Sequence, residues 1–188
     1  DALAASRQAL TNDPQCALAL ALQGYLHIME GRPPAQARQS FARALDANPS
    51  DALAWLFSAL QRTFDDRLDG AHEALQVALS LSPLDPWRYL FDAVAAHVYL
   101  ARGDAALALV FAERSARQRA RHAPTLGYLV MAHARLGQLH IAKDYLKQLL
   151  ELWPTYNLRS FWATYAGRET PHAKEFAWAL AAAGLPSG

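Results

Sequence analysis

A pattern written twice at a fixed spacing constrains this chain more than any other feature. Ala37, Phe41, Ala44, Leu45 and Pro49 are followed by Ala71, Leu75, Ala78, Leu79 and Pro83, each 34 residues after its counterpart. Self-similarity at such a period marks a helix–turn–helix unit that cannot bury its apolar face alone and stacks on copies of itself. Small residues three and four apart share one helix face and let two helices approach closely. The larger residue between them fills the gap, and the proline stops the helix. The composition agrees, with abundant alanine and leucine, few β-branched residues and only nine glycines.

The pattern orders the chain. Ala2, Ser6, Ala9, Leu10 and Pro14 precede Ala37 to Pro49 by 35 residues, so the first helix is the back half of a repeat, ended by Asp13-Pro14. The sequence does not open with methionine and starts inside a repeat, which reads as a piece of a longer protein. Units are expected at about 17–49, 51–83, 86–120 and 123–154, with residues 1–154 forming the stack and 155–188 a helical cap. Gly31-Arg32-Pro33-Pro34 and Asp65-Asp66 mark turns within units, and Asp51 is placed to cap a helix.

The third unit slips, because Ala71 to Ala108 is 37 residues. The extra three are expected to lengthen its front helix, from Pro86 to about Arg102, with Asp85 as cap and Pro86 at the first helical position, so that it projects from the stack. Beyond Pro154 the period fades. Helices are expected over Asn157 to about Tyr165 and Pro171 to about Ala183, rich in aromatics and suited to covering a terminal repeat.

The small-x3-large-x2-small signature ending in proline resembles the tetratricopeptide repeat across most of the chain. The resemblance implies an all-α, right-handed superhelix of about four units, with an orphan N-terminal helix and a C-terminal cap. A narrower resemblance lies in Ser82-Pro83-Leu84-Asp85-Pro86, the unit centred on Leu126, and Ala183-Gly184-Leu185-Pro186. These look like the C-terminal repeat regions of bacterial class III adenylate cyclases and winged-helix transcriptional regulators. The sequence carries neither a cyclase's aspartates in context nor a recognition helix.

In that family the front helices line a concave groove, the usual binding surface. Transferring family positions places Leu18, Ala21, Tyr25 and Ile28 in the groove from the first unit, and Leu53, Leu56, Leu60 and Thr63 from the second. Gly127, Met131 and Ala134 follow from the fourth; in the third, the slip leaves two registers for Trp87, Leu90, Val94 and His97. So apolar a groove suits an amphipathic helix. The competing reading is that these side chains are core, buried by superhelical packing or by the tail. The carboxylate clamp of chaperone-binding members is disfavoured, since its positions hold Ala21, Tyr25, Leu56 and Leu60.

Other clusters favour structural readings. Arg114, Arg117, Arg119, Arg121 and His122 form a basic run in which Arg114, Arg117 and Arg121 share a helical face. It suits a solvated helix end better than a phosphate patch, as no stacking aromatic extends it. His27 and His133 sit at packing positions, and no HExxH or second cysteine accompanies Cys16, so no metal or cofactor is expected. Asp65, Asp66 and Asp69 belong to a turn, and no nucleophile elbow or phosphate loop appears, so no catalytic residue is assigned.

The formal net charge of +1 draws in neither nucleic acid nor an anionic membrane. No apolar run approaches a membrane span, and one cysteine suits the cytoplasm. The expected role is a non-enzymatic sensory or interaction module of a larger bacterial regulator. The groove would take a small ligand or a protein segment, such as an amphipathic helix or its own upstream domain. The alternative is a scaffold for self-association, a homo-oligomer among its forms.

Overall fold

A computed structural model describes residues 2–82 and 86–188, so the expectations resting on Pro83, Leu84 and Asp85, including the Asp85 cap, lie outside the described residues. Among the described residues there are eleven α-helices and no strand. They fall into two compact units, Asp1–Leu84 and Asp85–Gly188.

The first unit holds α1 (Ala2–Asn12), α2 (Ala17–Met29), α3 (Pro34–Ala47), α4 (Ala52–Phe64) and α5 (Leu68–Leu81). The hairpins α2/α3 and α4/α5 pack side by side, with α1 on α2 and α4 against both helices of the first hairpin. The second unit holds α6 (Arg88–Ala101), α7 (Ala105–Gln118), α8 (Ala123–Arg135), α9 (Leu139–Leu152), α10 (Leu158–Thr164) and α11 (Pro171–Ala182). Here α6/α7 and α8/α9 are hairpins, and α8 touches both α6 and α7.

The repeated small residues are where the helices meet. Ala37, Ala44, Ala71, Ala78, Ala108, Ala112 and Ala142 are all buried, and so are Phe41, Leu75 and Leu146 at the large position. Each such leucine removed from water stabilises the stack by about 1.5–3 kcal/mol. The closest approach is at Gly24, where a Cβ would lie 2.6 Å from the Phe41 ring. The front-to-back turn repeats as well. Gly31, Gly103 and Gly137 have φ of 65, 90 and 76°, and Asp66 takes the same left-handed conformation at 58°. Asp51 and Asp104 cap α4 and α7 by accepting from the amides of Ala54 and Leu107, each at 2.9 Å.

The slip in the third unit is resolved differently from expectation. Helix α6 has 14 residues against 13 in α2, α4 and α8, so it gains one residue rather than a turn. The other two extend the connection, with Pro86 and Trp87 in a turn ahead of the helix rather than at its first positions. The sequence Phe91–Ala101 is buried at every position. A helix apolar all round is stable only where neighbours cover it all round, and α6 contacts α7, α8 and α11.

The tail does not lie along α9. Helix α11 packs on α8 and α6, the front helices of this unit, and α10 packs on α11.

Candidate functional site

The front helices carry every groove position assigned from sequence except Trp87, which lies in the turn before α6, and the two units treat them differently. In the first unit Leu18 is 46% exposed, while Tyr25 and Leu53 are half-buried. Ile28, Leu56 and Leu60 are buried, as are Ala21 and Thr63. Tyr25 stacks on Phe57 with ring centroids 4.6 Å apart, which fixes the aromatic on the seam between α2 and α4. The accessible remainder, Leu18, Tyr25 and Leu53, carries no charge.

In the second unit Val94, His97, Met131 and Ala134 are buried. Gly127 and Leu90 are half-buried, and Trp87 is 50% exposed, just before α6. What covers His97 is the tail. Its ring lies 5.7 Å from Phe176 and 5.9 Å from Tyr165 (edge-on), and it stacks on Tyr128 at 5.4 Å.

A hydrogen-bonded chain runs through this contact. His97 Nε2 lies 2.8 Å from the Tyr165 hydroxyl, which lies 3.2 Å from His172 Nε2. Thr170 Oγ1 donates to the Gly167 carbonyl at 2.6 Å, which leaves it an acceptor towards His172 Nε2 at 3.1 Å. His172 therefore carries its proton on Nε2, the Tyr165 oxygen accepts from it, and the phenol donates to His97 Nε2. The assignment requires a neutral His97. Burial, with His172 adding to it, lowers the His97 pKa to about 3. Burial also raises Tyr165 well above the usual phenol range, so its proton stays in place.

A second tie lies at the end of α8. Arg135 donates to the Leu100 carbonyl at 2.8 Å and pairs with Glu175 of α11 at 2.9 Å. Beside it, Arg135, Lys174, Glu175 and Trp178 line an open depression of about 460 Å³. Sequence reasoning misses this tie, because nothing in the residue spacing sets α11 against α8.

The basic run is dismantled by the structure. Helix α7 ends at Gln118, so Arg121 lies beyond it and cannot share a face with Arg114 and Arg117. Arg114 reaches the buried Asp92 at 3.3 Å, Arg117 lies 3.8 Å from Glu113, and Arg119 donates to the Tyr89 hydroxyl at 3.0 Å while lying over that ring. Asp92 is the charged residue the apolar pattern of α6 hides. Arg88 stands 3.4 Å from it and Gln118 donates to it at 3.1 Å, while burial pushes its pKa up against the pull of both arginines.

The remaining candidates are structural. His133 is buried with Nδ1 2.6 Å from Gln138 Oε1 and stacks on Tyr145. Asp65 pairs with Arg38 at 2.9 Å, and Asp66 forms the left-handed turn. Among the described residues no group of three His, Cys, Asp or Glu side chains gathers to hold a metal, and no helix is long and apolar enough to cross a membrane.

Stacked helix hairpins joined by left-handed turns, with small residues at each crossing, define an α-solenoid repeat protein. Solved structures give the kind of repeat, and the fold is that of tetratricopeptide proteins. PilW, a type IV pilus biogenesis factor, is 21% identical over 95% of this chain and 83% of its own, with a TM-score of 0.68. TTC0263, a thermophilic TPR protein of Thermus thermophilus, is 22% identical over 89% of each chain, with a TM-score of 0.64. YrrB, a TPR protein with an unusual peptide-binding site, is 18% identical over 95% of this chain and 92% of its own, at 0.57. No family model and no curated protein matches the sequence.

Proposed function

We propose that the chain is a non-catalytic protein-interaction module of a larger bacterial regulator, taking an amphipathic partner helix on the front face of its first unit. The observation that carries this reading is the accessible, uncharged stripe of Leu18, Tyr25 and Leu53 on paired front helices. An apolar strip of this kind accepts anchors spaced one helical turn apart. The peptide-binding site of YrrB, on the same fold, gives the reading a precedent. The single cysteine suits the cytoplasm, and occupancy of the face would alter the posture of an upstream effector domain.

The test is capture by the intact parent protein, with Leu18→Asp and Leu53→Asp as controls of unchanged helicity. A partner held by the parent and released by both variants is expected. A partner held equally by all three would move the site elsewhere.

A scaffold for self-association is favoured by a different observation, the exposure of Trp87, Trp153 and Trp178 in the second unit. Aromatic side chains of this size are enriched at interfaces. Light scattering over a concentration series separates the readings, since an assembler gains mass on concentration and a monomeric module does not.

A further inference from the structure

We propose that residues 157–188 are a detachable strap, and that the front face of α6 and α8 beneath them is a second helix-binding site held closed in cis by α11. The proposal concerns a different face from Leu18 and Leu53, so the loss of partner binding there would leave it standing.

The segment is bonded to itself. Asn157 and Ser160 form a reciprocal capping box on α10. The amides of Leu158 and Arg159 donate to the carbonyls of Pro186 and Ser187 at 2.8 and 3.2 Å, closing the start of α10 onto the end of the chain. Leu185 donates to the Leu180 carbonyl, and Gly184 turns the backbone at φ 100°. Backbone groups bonded in this way keep their partners when the segment moves as a body.

What holds it to the front helices is made of side chains. Phe176 lies fully buried 5.7 Å from His97, the Tyr165 hydroxyl reaches His97 Nε2, and Glu175 meets Arg135. These contacts describe a ligand as well as a strap. Helix α11 buries Ala173, Phe176, Ala177 and Leu180, small and large residues at three- and four-residue spacing, and leaves Trp178 outside. A helix with an aromatic anchor, a small residue three before it and a leucine four after it fits the same face.

A face occupied in cis binds a competitor only in the fraction of molecules whose strap is open, so weakening the strap must raise apparent affinity. The probe is a fluorescent synthetic peptide of residues 169–186, titrated by anisotropy into the full chain. Phe176→Ala in the chain alters the strap and leaves the face intact. It is expected to raise affinity for the wild-type peptide at least about tenfold over the unaltered chain. A peptide carrying Phe176→Ala is expected to lose that gain. Tyr165→Phe, which removes the hydroxyl alone, gives a smaller gain in the same direction. Hydrogen exchange on the unaltered chain gives a readout that needs no variant. Amides of 157–188 are expected to exchange as a block, at least about tenfold faster than those of α6–α9. Equal affinity in all chains, collapse of α6–α9 in the Phe176→Ala chain, or exchange of the tail together with α6–α9 would each overturn the proposal.

Discussion

The same hairpin repeat is used in both units, yet only the front helices of the second carry a further helix, α11. In the first, Leu18 stands 46% exposed, with Tyr25 and Leu53 partly so. In the second, His97 and its repeat equivalent Met131, 34 residues on, are buried in the unit whose front helices carry α11. Repeat register therefore decides where a side chain lies along a front helix, and in the second unit a segment outside the repeat adds its own cover at His97. The difference also accounts for composition. The accessible stripe of the first unit is uncharged and open to water, whereas the covered face of the second holds the hydrogen-bonded His97–Tyr165–His172 chain.

The largest effect that could break this contrast is Leu56→Asp. Leu56 is a groove position by repeat register but is 0% exposed. A carboxylate there is expected to cost several kcal/mol and to melt the first unit by circular dichroism. Retained helicity would show an open face at that position. Phe176→Ala should cost about 3–5 kcal/mol, read as a loss of stability in the second unit alone in a denaturant titration. Equal loss in the first unit would break the division between them.

Acidification sharpens the same contrast. His97 is neutral in the fold, with its pKa lowered to about 3. A base whose folded pKa lies below its unfolded value stabilises the fold fully above the unfolded pKa and progressively less as pH falls from there towards the folded one. Between pH 7 and 5 the second unit should lose about 2 kcal/mol. His172 and the phenols of Tyr128 and Tyr165 are the titratable groups around His97. The loss should flatten in His97→Gln when denaturant midpoints are compared across pH. The smallest effect concerns the shared turn. Asp66→Gly relieves a left-handed aspartate in the first unit, and Gly137→Ala installs a strained residue in the second. Each is expected to shift stability by about 1 kcal/mol, in opposite directions, and thermal melts would show both.

The fold is legible in the sequence because its signal is redundant. Ala37, Ala71, Ala108 and Ala142 mark one crossing each, and any of them sets the register. The site is less legible, for two physical reasons. Family positions specify a face and carry no information about what lies on it, so they put His97 on the front face without its cover. The three-residue slip reads as helix length because periodicity counts residues between signatures and does not say which element holds them. The structure places one of the three in α6 and the others ahead of it.

The chain has two methionines, and each stands on a front helix of a different unit. Met29 on α2 is 66% exposed and Met131 on α8 is 5% exposed. Dilute peroxide followed by peptide mass spectrometry compares the two directly. Rapid sulfoxide formation at Met29 with Met131 protected is expected, and Phe176→Ala should release Met131 without changing the rate at Met29. Oxidation of both at one rate in the unaltered chain would contradict a second face closed by its own tail.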